Sequence, residues 1–227
     1  MSTHIKRILV DIIDINNNPL DNVFIHYDES NITELYALII GNNDTPYEGG
    51  YYYFKINFDE TYPTKPPQCK FETINNKIRF NPNLYENGKI CLSILGTWSG
   101  PSWKPVMNLK SILLNLQSLF SENPIVNEPM YNNLCVKNIK SLNYNKVLTY
   151  HNLNFGILEM YNNNNYYSFF NDIVKDHFFK NLNKNIAKLE ELTKQYNNEE
   201  IKIFPWRTTG CKLEYNALLE DYKKLKM

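Results

Sequence analysis

Apolar residues recur at helical spacing from the start of the chain. Ile5, Ile8, Leu9, Ile12 and Ile13 fall on one face of a helix predicted over residues 3–15, with Lys6, Arg7 and Asp11 on the other. Asn16-Asn17-Asn18-Pro19 ends it. The pattern then shortens to runs rich in β-branched and aromatic residues. Val23–Tyr27, Leu35–Ile40, Gly50–Phe58 and Gln68–Glu72 are predicted strands, and their short connections imply an antiparallel meander. Tyr62-Pro63-Thr64-Lys65-Pro66-Pro67 is an exposed, stiff loop, because prolines remove ladder donors and fix φ. Helical spacing returns over Leu109–Phe120, stops at Asn123-Pro124, and returns again over residues 142–160. The tail carries Phe169, Phe170, Ile173 and Val174, then Leu182, Ile186, Leu189, Leu192 and Tyr196. Pro205 and Gly210 interrupt it before a last helix over Leu213–Leu225. The reading is an α+β fold: a four-stranded meander with an N-terminal helix, a central cross helix and a helical C-terminal extension. The Asn162–Asn165 run divides a core over residues 1–160 from an extension over 161–227, whose apolar stripe packs on the core.

Composition narrows the function. The 227 residues carry a formal net charge of zero, which gives no electrostatic support for bulk nucleic-acid or membrane-surface binding. No apolar stretch approaches the roughly 18 residues that span a bilayer, and no secretory start is visible. A soluble protein of the cytoplasm or nucleus is expected. Cys69, Cys91, Cys135 and Cys211 are scattered, form no C-x-x-C pair and have no histidine nearby in sequence. Free thiols and neither a structural metal nor a cofactor are expected.

The chemistry concentrates in Arg79–Trp103, RFNPNLYENGKICLSILGTWSGPSW. Cys91 follows an Asn-Pro-Asn and an Asn-Gly turn and precedes a Trp- and Gly-rich loop, so its thiol is expected within reach of a large partner. His4, His26, His151 and His177 all lie outside this run, and no resident Cys-His pair is evident.

In this order of elements the sequence resembles the ubiquitin-conjugating enzymes. The matching residues are Lys6-Arg7-Ile8, Asp44-Thr45-Pro46-Tyr47-Glu48-Gly49-Gly50, Tyr62–Pro67, Asn81-Pro82-Asn83 and Gly88-Lys89-Ile90-Cys91-Leu92. Trp103-Lys104-Pro105 and Ser121-Glu122-Asn123-Pro124 match as well. The resemblance runs from about residue 3 to 131, and it is closest to the class Z branch and its larger relatives. Leu92–Pro101, Glu122-Asn123-Pro124, Asn127-Glu128-Pro129 and, more faintly, Asn143-Tyr144-Asn145 and Glu214-Tyr215 with Leu218-Leu219 carry that likeness. The chain departs from the general pattern at Asn81, where the family usually has histidine, and at Thr64, where an aromatic is common. The loop between Cys91 and Trp103 is also longer than usual.

The resemblance implies a carrier enzyme, an acyltransferase. An ATP-consuming activating enzyme hands ubiquitin or a ubiquitin-like modifier to Cys91 as a thioester, and a substrate lysine then takes it. It makes Asn83 the residue that supports either the oxyanion or the loop. Glu128 becomes the acid that orients the lysine, with Asn127 as the competing match. Lys6 and Arg7 become contacts for the activating enzyme, and Thr64, Lys104 and Pro105 contacts for a ligase. Thr64 weakens docking of common RING ligases, and Trp98 and Trp103 are expected to pack the active-site loop. Two alternatives remain beside this reading: a non-catalytic module of the same shape that only binds ubiquitin and partners, and a cysteine hydrolase.

Overall fold

The computed structural model describes residues 2–72, 78–163, 167–202 and 211–226. Helix α1 (Thr3–Asn17) is followed by strands β1 (Val23–Asp28), β2 (Asn31–Ile40), β3 (Tyr51–Asn57) and β4 (Gln68–Glu72), then by helix α2 (Leu109–Ser118). The strands lie in chain order in one sheet, and the pairs β1–β2 and β3–β4 are antiparallel. This is the predicted α+β meander. Strand β2 starts at Asn31 rather than Leu35. Asp28 accepts from the Ser30 amide and hydroxyl at 2.8 and 2.7 Å, and this tight turn brings Asn31 into register opposite Asp28.

The chain gathers into two compact units, Met1–Asn42 with Tyr52–Ser121, and Asn43–Tyr51 with Glu122–Met227. Of the predicted seam, Asn164 and Asn165 lie outside the described residues, as do the predicted breakers Pro205 and Gly210.

The first unit buries an aromatic cluster between sheet and α2. Tyr52 stacks on Phe120 at 4.3 Å and meets Phe80 edge-on at 5.4 Å, while Phe54 lies 5.3 Å from Phe71. Helix α1 turns Ile8, Ile12 and Ile15 inward. Asp11 falls on the same stripe, three residues after Ile8 and one before Ile12, so it is only 3% exposed rather than on the outer face. Ile13, at 100° per residue from Ile12, is 55% exposed. The buried carboxylate is fully engaged. It accepts from Arg7 Nε at 2.8 Å, from the Tyr62 hydroxyl, and from the Leu109 amide at 3.1 Å. That last donor is a buried N–H at the N-terminal end of α2, where a negative charge is favoured. Burial first, and then the hydrogen bond to Asp11, push the Tyr62 phenol above its ordinary range. Asn108 caps α2 by accepting from the Ser111 amide at 2.9 Å.

The second unit is helical, with a small hairpin. Helix α3 (Ile139–His151) widens into a π-helical stretch, Asn152–Glu159, and closes in the single turn α4 (Met160–Asn162). One helix over 142–160 is the sequence expectation. The real helix starts earlier because Asn138 caps it, accepting from the Lys140 amide at 3.0 Å. In the widened part the Leu153 carbonyl accepts from the buried Tyr222 hydroxyl at 2.7 Å. Helices α5 (Asn171–Tyr196) and α6 (Tyr215–Lys224) flank strands β5 (Glu200–Ile201) and β6 (Cys211–Lys212).

Helix α5 holds the segment Asn43–Tyr51 by charge and by hydrogen bonds. Lys184 and Lys188, one turn apart, reach the two oxygens of Glu48 at 2.6 and 2.7 Å. Burial alone would raise the Glu48 pKa, but the two ammonium groups outweigh it and hold it below the ordinary carboxylate value. Tyr51 Oη lies 3.1 Å from His177 Nδ1 and donates to the Val174 carbonyl at 3.3 Å. Burial, then Lys180 and Lys184, lower the His177 pKa.

Candidate active site

The Asn-Pro-Asn turn is built around Asn81, a fully buried amide. Its Oδ1 accepts from the Asn83 amide at 2.9 Å and its Nδ2 donates to the Leu119 carbonyl at 2.8 Å, tying the turn to the end of α2. Asparagine thus fills a structural position with both halves of its side chain. Arg79 donates to the Pro82 carbonyl, and its guanidinium sits 4.0 Å over the Tyr85 ring.

From this turn the chain makes a narrow hairpin that ends at Cys91. The Cys91 amide donates to the Asn83 carbonyl and the Tyr85 amide to the Lys89 carbonyl, both at 2.9 Å. The hairpin tip rests on β4 through Phe71 N–H to Gly88 O at 2.9 Å. Gly88 is required there: its φ is +87°, and a Cβ would stand 2.7 Å from the Phe71 carbonyl oxygen. Asn83 also returns its side chain across the hairpin, donating from Nδ2 to the Cys91 carbonyl at 2.7 Å. In this arrangement the amide holds the backbone of the thiol-bearing residue.

Beyond Cys91 the chain folds back in a 3₁₀ turn, Ser93–Leu95, which Gly96 ends in the left-handed region. Thr97 closes the loop: its Oγ accepts from the Leu92 amide at 2.9 Å and donates to the Leu92 carbonyl at 3.1 Å. Between the hairpin and this turn in the chain, Cys91 is 3% exposed. The expectation of an openly presented thiol is therefore corrected: turn dipeptides locate the residue but not what folds over it. Among the described residues no histidine is hydrogen-bonded to Cys91. His151 instead lies 3.8 Å from the sulfur of Cys211. Burial pushes the Cys69 thiol up to about 12.

The first unit also joins several predicted contact residues. Trp103 Nε1 donates to the Pro63 carbonyl at 2.7 Å, joining the two loops that carry Thr64, Lys104 and Pro105, all three exposed. Arg7 donates to the Pro105 and Met107 carbonyls at 3.1 and 2.7 Å, so its guanidinium braces this surface from α1 while Lys6 stays exposed. Trp103 packs as expected, 5.9 Å from Tyr62. Trp98 does not: it is 45% exposed, on a run from Gly96 to Ser102 that is exposed throughout. Asn127 and Glu128 belong to the second unit, at a junction of two 3₁₀ turns. The Glu128 amide donates to Ile125 O, and its carbonyl accepts from the Tyr131 amide. Sequence reasoning missed Thr97 as a builder of the site, whereas Asn81 stood in the Asn-Pro-Asn turn at a position that the resemblance makes structural.

A family model described as "Ubiquitin-conjugating enzyme" matches residues 7–151. "Ubiquitin-conjugating enzyme E2 Z" of Xenopus tropicalis is 39% identical over 191 residues, covering 77% of this chain and 61% of that protein. The Homo sapiens protein of the same name is 43% identical over 155 residues, covering 68% and 44%. The solved structure of human ubiquitin-conjugating enzyme E2 G1 is 29% identical, covers 50% of this chain and 90% of that one, and has a TM-score of 0.44. The chain thus spans between 44% and 61% of the length of these two curated relatives.

Proposed function

The chain belongs to the ubiquitin-conjugating enzyme family, and from that premise we propose that it carries ubiquitin, or a ubiquitin-like modifier, on Cys91 and passes it to a lysine. One observation carries this reading: the family's cysteine and asparagine, Cys91 and Asn83, are bonded across one hairpin at 2.9 and 2.7 Å. In the loading step the Cys91 sulfur attacks the thioester that joins the modifier's C-terminus to an activating enzyme. The new S–C bond forms as the old one breaks, and the activating enzyme's thiol leaves. Because Cys91 is only 3% exposed, its sulfur has to become accessible for this exchange. In the transfer step a neutral lysine amine attacks the acyl carbon. The C–N bond forms, the C–S bond breaks, and the amine's proton ends on the departing sulfur.

Glu128 is the proposed acid that orients and deprotonates that lysine, with Asn127 competing for the role. Lys6 and the Arg7-braced surface are the proposed contact for the activating enzyme. Thr64, Lys104 and Pro105 receive a ligase, and their junction through Trp103 and Pro63 supports one continuous face. Protein substrates supply the lysine.

A second reading, a module that binds modifier and partners without chemistry, is favoured by the 3% exposure of Cys91. Incubation with an activating enzyme, ATP and ubiquitin separates the two. The carrier gains one modifier mass that thiol reductant removes; the binding module gains none and only retains ubiquitin noncovalently. Release of free product from ubiquitin fusions would point instead to a hydrolase. With the charged protein in hand, Glu128→Gln should leave loading unchanged and slow discharge to free lysine about tenfold or more. Equal discharge rates would remove its role.

A further inference from the structure

Past its thiol the chain displays a single large side chain, Trp98. No residue between Lys89 and Lys104 is charged, and over Gly96–Ser102, all exposed, every other side chain is small. One exposed apolar side chain on a surface is ordinary. What sets Trp98 apart is that the run bearing it is tied down on both sides of the ring. Before it, the Thr97 amide donates to the Leu92 carbonyl at 3.2 Å, beside the two bonds of the Thr97 hydroxyl. After it, Gly100, at a φ of +136°, lies so close to Ser93 that a Cβ would stand 3.0 Å from the Ser93 Cβ. The anchors are thus the two residues that follow Cys91. Trp98 itself makes no hydrogen bond or ring contact among the described residues, and 45% of it is exposed.

We infer that Trp98 is a binding residue for the modifier's C-terminal tail, in contact with it while the tail is joined to Cys91. This rests on the reading of Cys91 as the carrier. Connectivity bounds the distance. Through the Thr97–Leu92 hydrogen bond, the Cα atoms of Cys91 and Trp98 are at most roughly 15 Å apart. A tail fixed by its end carbon to the sulfur spans that distance, when extended, in about five residues. The terminal glycine has no side chain, so the contact falls on the residues just before it.

The chemistry of indole fits this occupant. Its face takes an aliphatic side chain or attracts an arginine or lysine, and its N–H donates to a peptide carbonyl. An extended tail brings all of these groups. Once the thioester has formed, the tail is tethered beside the ring and meets it at a high effective concentration. A tail held this way also has fewer orientations, which sets the direction from which its end carbon meets the sulfur or an incoming amine. The pinned loop keeps the ring in place, so little freedom is lost when the tail settles on it.

The test uses the full chain and two acyl donors, each a thioester of a small thiol: diglycine, and a peptide carrying about the last six residues of ubiquitin. Single-turnover loading of Cys91 by each is followed by mass spectrometry at equal, subsaturating concentration. The longer donor is expected to load about tenfold faster, and to shift the indole emission as it does so, which diglycine does not. Trp98→Ala should bring the ratio of the two rates close to one. Trp98→Phe, which keeps an aromatic face, should retain most of the ratio and lose the emission shift. The ratio is taken within each variant, so a general disturbance of the loop cancels. A ratio near one in the parent, a ratio that survives in Trp98→Ala, or a peptide donor that fails on a chain which an activating enzyme does load, overturns this inference and leaves the carrier reading intact. A chain that neither an activating enzyme nor either donor loads overturns both.

Discussion

Replacing Asp11 by alanine is expected to lower the unfolding free energy by about 3 kcal/mol, the lower part of the range for removing one member of a buried charged pair. The lower part applies because Arg7 keeps a quarter of its side chain exposed and can recover water. The Tyr62 hydroxyl and the Leu109 amide cannot do so as readily. Tyr62 is buried, and the Leu109 N–H points into the interior, so each loses its acceptor. For a chain of this size the shift in Tm should be roughly 6–12 °C. Asp11→Asn, which keeps one acceptor oxygen, should lose less. Thermal melts of the two variants beside the parent check this, and a change within 1 kcal/mol for alanine would show that the carboxylate does not hold α1, the Tyr62 loop and α2 together. The consequence reaches the site, since Arg7 braces the loop carrying Lys104 and Pro105 only while Asp11 orients it.

The second large effect is expected at Asn83. Its Nδ2 is committed to the Cys91 carbonyl at 2.7 Å, so Asn83→Ala removes a strut beneath the reacting residue. Discharge to lysine should slow on the order of 10²-fold, the scale found when a single positioned donor is lost near a reacting carbonyl. Loading should fall as well, because both steps use the same placement of sulfur. Asn83→Asp should do no better, since it sets an acceptor against the Cys91 carbonyl. Single-turnover loading and discharge, measured separately, distinguish the roles. Normal loading with slow discharge alone would assign the amide to the oxyanion rather than to the loop.

Much of this architecture was legible along the chain, and for identifiable reasons. The β-branched and aromatic runs of β1, β3 and β4 and the apolar spacing of α2 are local signals, and these elements lie within a residue or two of their predicted bounds. The turn at Asn81–Asn83 is local too, and it brought Asn83 and Cys91 into one hairpin. What could not be read depends on distant partners. Asp11 looks like a surface acid until Tyr62 and Leu109 close on it. The grip of Lys184 and Lys188 on Glu48 joins residues 136 and 140 positions apart. The fold-back after Cys91 is fixed by Thr97 against Leu92, which follows no simple period. Strands β5 and β6, two residues each, are too short for any alternation to register.

The central claim is that the Cys91 sulfur is the atom that bears the modifier. Its most direct test uses Cys91→Ser, in which an attacking hydroxyl traps the acyl group as an ester that reductant cannot cleave. After incubation with activating enzyme, ATP and ubiquitin, peptide mapping of the trapped species should find the diglycine remnant at position 91. A reductant-labile adduct that still forms in this variant, or a parent protein that stays unmodified beside an activating enzyme loaded with each modifier in turn, would contradict the account.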